Sequence, residues 1–319
     1  MSDEIGQRAR KAQVCEYDIM SVSEPEQAQP VHGERRMAIM SFAHDYITAE
    51  WRMSVTSLRG NLMGKFLIVS VEESLQQYSE IAKRYGAGFE YNDFYRPDVL
   101  DSEARQQRIL RHYSEISLPD YCTMHGAFLD VTVFSRDEKI RQISMLRMEQ
   151  SMELAKKAGA KGVVFHTNIN PFLLSEEYKE YAVDMTAQSV ERLLMRYPDI
   201  QIYMENMFDQ TPEVLLQISK KLSAYQNYGV CLDYAHAGIS AQPVSEWVLV
   251  LHPYIKHLHI SDHDGRQDLH LAVGDGITDW QQFRSHYKKY FEDCSVLIET
   301  ARPDWQLKSI AYLRQLGVM

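Results

Sequence analysis

From Phe66 onward, short apolar runs rich in β-branched residues recur along the chain, each followed by a longer segment whose apolar positions return every three or four residues. The runs are FLIVSV (66–71), GFEY (88–91), YCTMHG (121–126), GVVFHT (162–167), IQIYMEN (200–206), YGVCLD (228–233), IKHLHIS (255–261) and VLIET (296–300). They predict eight strands. Between them, SLQQYSEIAKRYG, IRQISMLRMEQSMELAKKAG and LLQISKKLSAYQNYG predict helices, and all three end on a glycine, the residue that most readily takes the left-handed turn after a helix. Strand and helix in alternation imply an α/β protein with a parallel sheet. Eight right-handed crossover units close naturally into a (β/α)8 TIM barrel. An open doubly wound sheet is the competing architecture, but no GxGxxG turn follows any strand to support a dinucleotide site.

Ahead of Met63 the pattern stops. Residues 1–61 hold no sustained period, and Glu16 to Arg36 is polar and interrupted by Pro25 and Pro30. A short helix over Met37–Arg52 fits, since Ile39, Phe42, Ala43, Tyr46 and Ile47 fall near one face. The chain therefore divides into an N-terminal extension, 1–62, and a barrel, 63–319. The second part has 319 − 62 = 257 residues, close to the roughly 250 of such barrels.

Composition narrows the class. No run approaches the roughly 18 to 20 apolar residues of a membrane span, and the first residues lack the apolar core of a secretory signal, so a cytoplasmic protein is expected. Cys15, Cys122, Cys231 and Cys294 contain no CxxC pair, which argues against a disulfide framework or a thiolate zinc site. A formal net charge of −10 weighs against extended nucleic-acid binding, although a local basic patch stays compatible with it.

In a barrel the chemistry collects where the strands end, at their C-terminal edge. Strand three ends in His125, strand four in His166, strand five in Glu205, strand six in Asp233, strand seven in His259 and strand eight in Glu299. Period-two alternation turns His166 and His259 inward and sends Val163, Phe165, Leu258 and Ile260 toward the helices. His236 in DYAH, and Asp268 and His270 in DLH, lie just beyond. These nine groups offer nitrogen or carboxylate oxygen and no thiolate, which suits zinc, manganese or another divalent ion in an open site. Packing nine ionisable groups at one barrel mouth without a cation would leave several charges poorly solvated. Arg266 is a candidate substrate contact, His257 packs inside the barrel, and GDG (274–276) reads as a turn before the helix opened by ITDW. The aromatic residues of EYNDFYRP (90–97) fit either a pocket wall or a loop anchor.

Together MHGAF, VVFHTN, YMEN, CLDYAH, HLHISD, DLH with GDG, and LIET resemble the xylose-isomerase-like barrel superfamily over essentially Met63 to Met319. The superfamily holds sugar and sugar-phosphate isomerases and epimerases, and endonucleases of apurinic sites related to endonuclease IV. In the epimerase branch the resemblance implies one divalent ion on Glu205, Asp233, His259 and Glu299, with Glu205 and Glu299 also moving protons. In the endonuclease branch it implies three zinc ions, with His125, His166, His236, Asp268 and His270 joining those four.

The preferred reading is an isomerase or epimerase of a sugar, polyol or sugar phosphate that works through a cis-enediolate, with His236 and Arg266 orienting the substrate. The loop NDFYRPDVLDSE, one arginine among several carboxylates, favours it over a nuclease. A zinc-dependent endonuclease, or a relative that binds metal without turnover, is the alternative. A homo-oligomer is compatible with either.

Overall fold

The structure, a computed structural model, describes residues 66–173, 175–300 and 302–319. The 1–62 extension, the helix expected over 37–52 and Cys15 lie outside the described residues. Eight strands pair in parallel in chain order: β1 (Phe66–Ser70), β2 (Gly88–Tyr91), β3 (Cys122–His125), β4 (Gly162–His166), β5 (Gln201–Glu205), β6 (Tyr228–Asp233), β7 (Ile255–Ile260) and β8 (Ser295–Ile298). β8 pairs with β1 through Leu297 and Leu67, and this closes the barrel.

Alternation sorts the side chains into two sets. Ile68, Phe89, Met124, Val163, Phe165, Ile202, Met204, Leu258 and Ile260 join the large core between the strands and the helices outside. Leu67, Val69 and Leu297 form one apolar group inside the barrel, and Val164, Tyr203 and Cys231 form another. Gly162 sits in this inner layer because a Cβ there would meet the Tyr203 ring at 2.5 Å. Adding that methyl (Gly162→Ala) should cost about 1–3 kcal/mol by overpacking, read as a lowered denaturation midpoint with an unchanged slope.

β7 departs from strict alternation at one point. Val230 of β6 pairs with Ile255, and the next residue, Cys231, pairs with His257, so Lys256 is an extra residue. Ile255 faces the outer core, and the stem of Lys256 runs beside Gly229 while its Nζ donates to the Gln226 carbonyl at 2.7 Å. Beyond the bulge, His257 and His259 both face inward.

Two of the three glycine-terminated helices form as their sequences predict. Leu75–Tyr85 buries Leu75, Tyr78, Ile81 and Ala82 along one stripe and ends at Gly86, φ 68°. Glu138–Ala158 starts at Asp137, whose carboxylate accepts from Lys139 N, and ends at Gly159, φ 72°. The third differs. That helix, Glu213–Leu222, stops well before Gly229, which belongs to β6. Turns at Tyr225 and Tyr228 follow it, and the Asn227 amide is drawn away to donate to the carbonyls of Leu194, Tyr197 and Ile200. A tertiary contact thus replaces the local stop signal.

Every strand needed for closure comes from residues 66–298. Deleting residues 1–62 should therefore leave a soluble barrel with one cooperative melt. Aggregation of the truncated chain, or a much lower melting temperature, would show that the extension covers core surface.

Candidate active site

Each strand end delivers its side chain for a local reason. Asp233 closes β6 and is also the N-cap of the helix Tyr234–Ile239, where its Oδ1 accepts from His236 N at 2.7 Å and its Oδ2 makes no hydrogen bond. Asn206, directly after β5, holds that junction, because its amide exchanges bonds with the Asp233 backbone in both directions at 2.9 and 3.0 Å. The Asn206 carbonyl accepts from His236 Nδ1 at 2.9 Å, which leaves Nε2 of that ring facing Asp268 Oδ2 at 3.0 Å. His270 is held at φ 45° in the loop after β7, a backbone conformation that histidine adopts only occasionally, and its Nε2 also reaches Asp268 Oδ2 at 3.0 Å. That loop is anchored by buried Asp262, whose carboxylate accepts from Gly274 N, Thr278 N and Trp280 Nε1. The GDG sequence is a turn within it, closed by Asp275 N donating to the Ala272 carbonyl.

The nine groups form one connected site. Glu205, Asp233, His259 and Glu299 bring one ligand atom each to within 4.8 Å of one another. His259 Nδ1 lies 3.3 Å from Glu205 Oε2 and 3.2 Å from Glu299 Oε2. His125, His166 and Glu205 make a second group under the same limit, with the two histidine Nε2 atoms 3.1 Å apart. His236, Asp268 and His270 form the third contact set, and His270 Nδ1 approaches Glu299 Oε2 at 3.8 Å.

The donor set fits a divalent cation. Both Glu205 oxygens, Asp233 Oδ2, His259 Nδ1 and Glu299 Oε2 are buried with no hydrogen-bond partner, a costly arrangement unless something positive is shared among them. The buried groups also shift one another's protonation. Burial pushes the Asp233 carboxyl up to about 8. For Glu205, burial also acts upward, but His259 and His166 outweigh it and hold that carboxyl well below its usual range. Burial opposes a charge on His259, yet Cys231, Glu205, Glu299 and Glu90 around it carry its pKa well above the ordinary imidazole value.

A cavity of about 240 Å3 opens over these groups, lined also by Val69, Val71, Asn92, Tyr95, Phe128 and Met207. Phe128 packs on the rings of His125 and His166, with both centroids 5.0 Å away, and Tyr95 packs on Phe128 at 4.9 Å. The run EYNDFYRP is thereby divided: Tyr95 faces the cavity, while Tyr91 and Phe94 are buried in the core. Arg266 is exposed on the loop after β7 and does not line the cavity, and no lysine or arginine among the described residues does. A larger hollow of about 480 Å3 lies at the opposite, N-terminal end of the barrel, beside Phe66, Gly88 and Tyr121, away from these donors.

Residues 80–316 match the family described as xylose isomerase-like TIM barrel, about three quarters of the chain. The chain belongs to that family. Among relatives of this xylose isomerase-like TIM barrel, the uncharacterized protein MJ1311 of Methanocaldococcus jannaschii is 27% identical over 203 residues, 60% of this chain and 68% of that protein. Solved structures share the fold. The TTHB071 protein from Thermus thermophilus, soaked with ZnCl2, has a TM-score of 0.65 at 22% identity, covering 79% of this chain and 98% of that one. A D-tagatose 3-epimerase-like protein has a TM-score of 0.65 at 24% identity, covering 79% and 97%. No helix among the described residues is long and apolar enough to cross a membrane.

A reading confined to strand ends passes over Glu90. In GFEY the flanking Phe89 and Tyr91 belong to the outer core, so alternation alone turns Glu90 into the barrel, where it is fully buried. His257 is likewise fully buried inside the barrel. Its Nε2 donates to Glu90 Oε2 at 3.2 Å, its Nδ1 meets the Ser295 hydroxyl at 2.6 Å, and its ring stacks on Tyr203.

Proposed function

We propose that the protein is a divalent-metal-dependent isomerase or epimerase, acting at a carbon next to the carbonyl of a small sugar or of a keto-polyol. One observation carries this reading: Glu205 and Glu299, from strands three positions apart, reach the same small cavity and both approach His259 Nδ1. A bound zinc or manganese ion, held by Glu205, Asp233, His259 and Glu299, would supply Lewis-acid polarisation of the substrate carbonyl. One carboxylate takes the proton from the adjacent carbon, and the C–H pair becomes a C=C bond as the carbonyl π pair moves onto oxygen to give an enediolate. The proton returns either to the opposite face of the same carbon or, as a proton passes between the two oxygens, to the former carbonyl carbon. His236 lies at the cavity wall, where it can orient a hydroxyl, and Phe128 with Tyr95 forms an aromatic wall of the cavity. The epimerase-like protein of the same fold agrees with this chemistry. A described lining without lysine or arginine favours an uncharged sugar over a phosphorylated one.

A second reading, a zinc-dependent endonuclease of apurinic sites, is favoured by the separate donor group of His125, His166 and Glu205. Phe128 weakens it, because that ring packs against the two histidines rather than projecting as a wedge. The test is a panel of ketoses and aldoses incubated with zinc- or manganese-loaded protein in deuterated water, beside an abasic duplex. Deuterium uptake at the carbon next to the carbonyl, with interconversion of two sugars, supports the isomerase. Metal-dependent nicking without sugar turnover would transfer the assignment to the nuclease.

A further inference from the structure

Beneath the metal-type donors lies a buried polar layer that the reaction above does not use. Glu90 of β2, Thr123 of β3, His257 of β7 and Ser295 of β8 all turn into the barrel, and the first three are fully buried. Glu90 Oε2 accepts from the Thr123 hydroxyl at 2.7 Å and from His257 Nε2 at 3.2 Å. Its other oxygen, Oε1, stands at an ion-pair distance of 3.2 Å from His259 Nε2, and neither atom has a hydrogen-bond partner. The opposite ring nitrogen of His259 faces Glu205 and Glu299.

We infer that Glu90 is a positioning residue that fixes the His259 imidazole for its ion. A neutral imidazole carries one proton, and only the other nitrogen can bind a metal. A carboxylate beside Nε2 retains the proton there and directs the lone pair of Nδ1 into the four-donor group. Thr123 and His257 occupy the second oxygen and so keep the carboxylate from rotating away. An ionised carboxylate in the apolar interior of a barrel is otherwise expensive, and here its three polar neighbours account for its placement. Carboxylate–histidine–metal relays of this form raise ligand basicity, and their loss weakens metal binding by about 10- to 100-fold. Cys231 is the competing neighbour, since its sulfur lies within 4.8 Å of ligand atoms of both His257 and His259.

The inference rests on the metal-dependent reading, and its test separates the two. Zinc affinity is measured by competition with a chromophoric chelator for wild type, Glu90→Gln, Thr123→Val and Cys231→Ser, together with the melting temperature of each metal-free protein. Glu90→Gln should weaken zinc binding about 10- to 100-fold, Thr123→Val by less, and Cys231→Ser should leave the affinity unchanged. A purely structural Glu90 would lower the metal-free melting temperature and leave the affinity of the folded protein as it was, which overturns the inference. So would an equal loss in Cys231→Ser, which assigns the proton to the thiol contact. Nitrogen-15 spectra of histidine-labelled, zinc-loaded wild type provide a measurement that needs no variant to fold: the His259 proton belongs on Nε2, and a proton on Nδ1 refutes the role. Absence of zinc binding by wild type would remove the metal reading and this inference together, whereas tight binding unaffected by Glu90→Gln removes this inference alone.

Discussion

Replacing Glu205 or Glu299 by Gln should slow sugar isomerisation by about 10²- to 10⁴-fold, the usual share of a positioned general acid or base. The substitution keeps an oxygen donor and nearly the same volume, so it separates proton transfer from ligation more cleanly than Ala does. The two variants need not fall equally, because Glu205 touches both donor groups whereas Glu299 reaches His259 and His270. The measurement is turnover at saturating zinc or manganese, with deuterium exchange into the substrate followed in parallel. Neither variant should wash in deuterium at a rate comparable to wild type. Substantial isomerisation by both Gln variants at full metal loading would contradict the proton-transfer assignment.

Removing the metal should have the second large effect. Chelated protein should lose turnover and melt at a lower temperature, and re-added zinc or manganese should restore both. At free metal 100-fold above its dissociation constant, the linkage contributes about 2.7 kcal/mol to folded-state stability. Asp233→Ala and His259→Ala should abolish the metal-induced shift. The two residues come from adjacent strands, and each brings a ligand atom to the same four-donor group. A folded wild-type preparation, never exposed to chelator, that contains almost no divalent metal and gains no stability when metal is added would remove the basis of the mechanism.

The barrel is readable in the chain because each strand carries its own period and each inner position differs in chemistry from its neighbours. VVFH in β4 and HLHI in β7 state their direction without help. Elsewhere the signal is local and the outcome is not. The helix Glu213–Leu222 ends where Asn227 is captured by three carbonyls around residues 194–200, a contact no window of sequence contains. Donor types at the strand ends are legible for the same reason as the strands, but their grouping is not. Which histidine meets which carboxylate depends on the stagger between strands and on the loop after β7, set by Asp262 and the left-handed His270. Glu90 is legible in principle from the Phe-Glu-Tyr alternation. Strand ends alone do not reveal it, because Glu90 itself lies one layer deeper than the donors, beside Thr123 and His257.

The extra residue at Lys256 restricts how this chain can change. Upstream of it Ile255 faces the helices, and downstream His257 and His259 face the interior, so the bulge sets the phase of the rest of β7. Loss of Lys256 itself would only join Ile255 to His257 in plain alternation, with every later side chain still on its present face. Loss of one residue from His257 to Leu258 is different. It would hold Ile255 and the bulge in place but move His259 to the outer face and Ile260 to the inner one. A length change of this kind would strip the ion site of its imidazole and lay hydrocarbon against Glu90 and Glu205 in a single event. Across descendants of this gene, gaps in β7 should fall at Lys256 and almost never in the three residues after it.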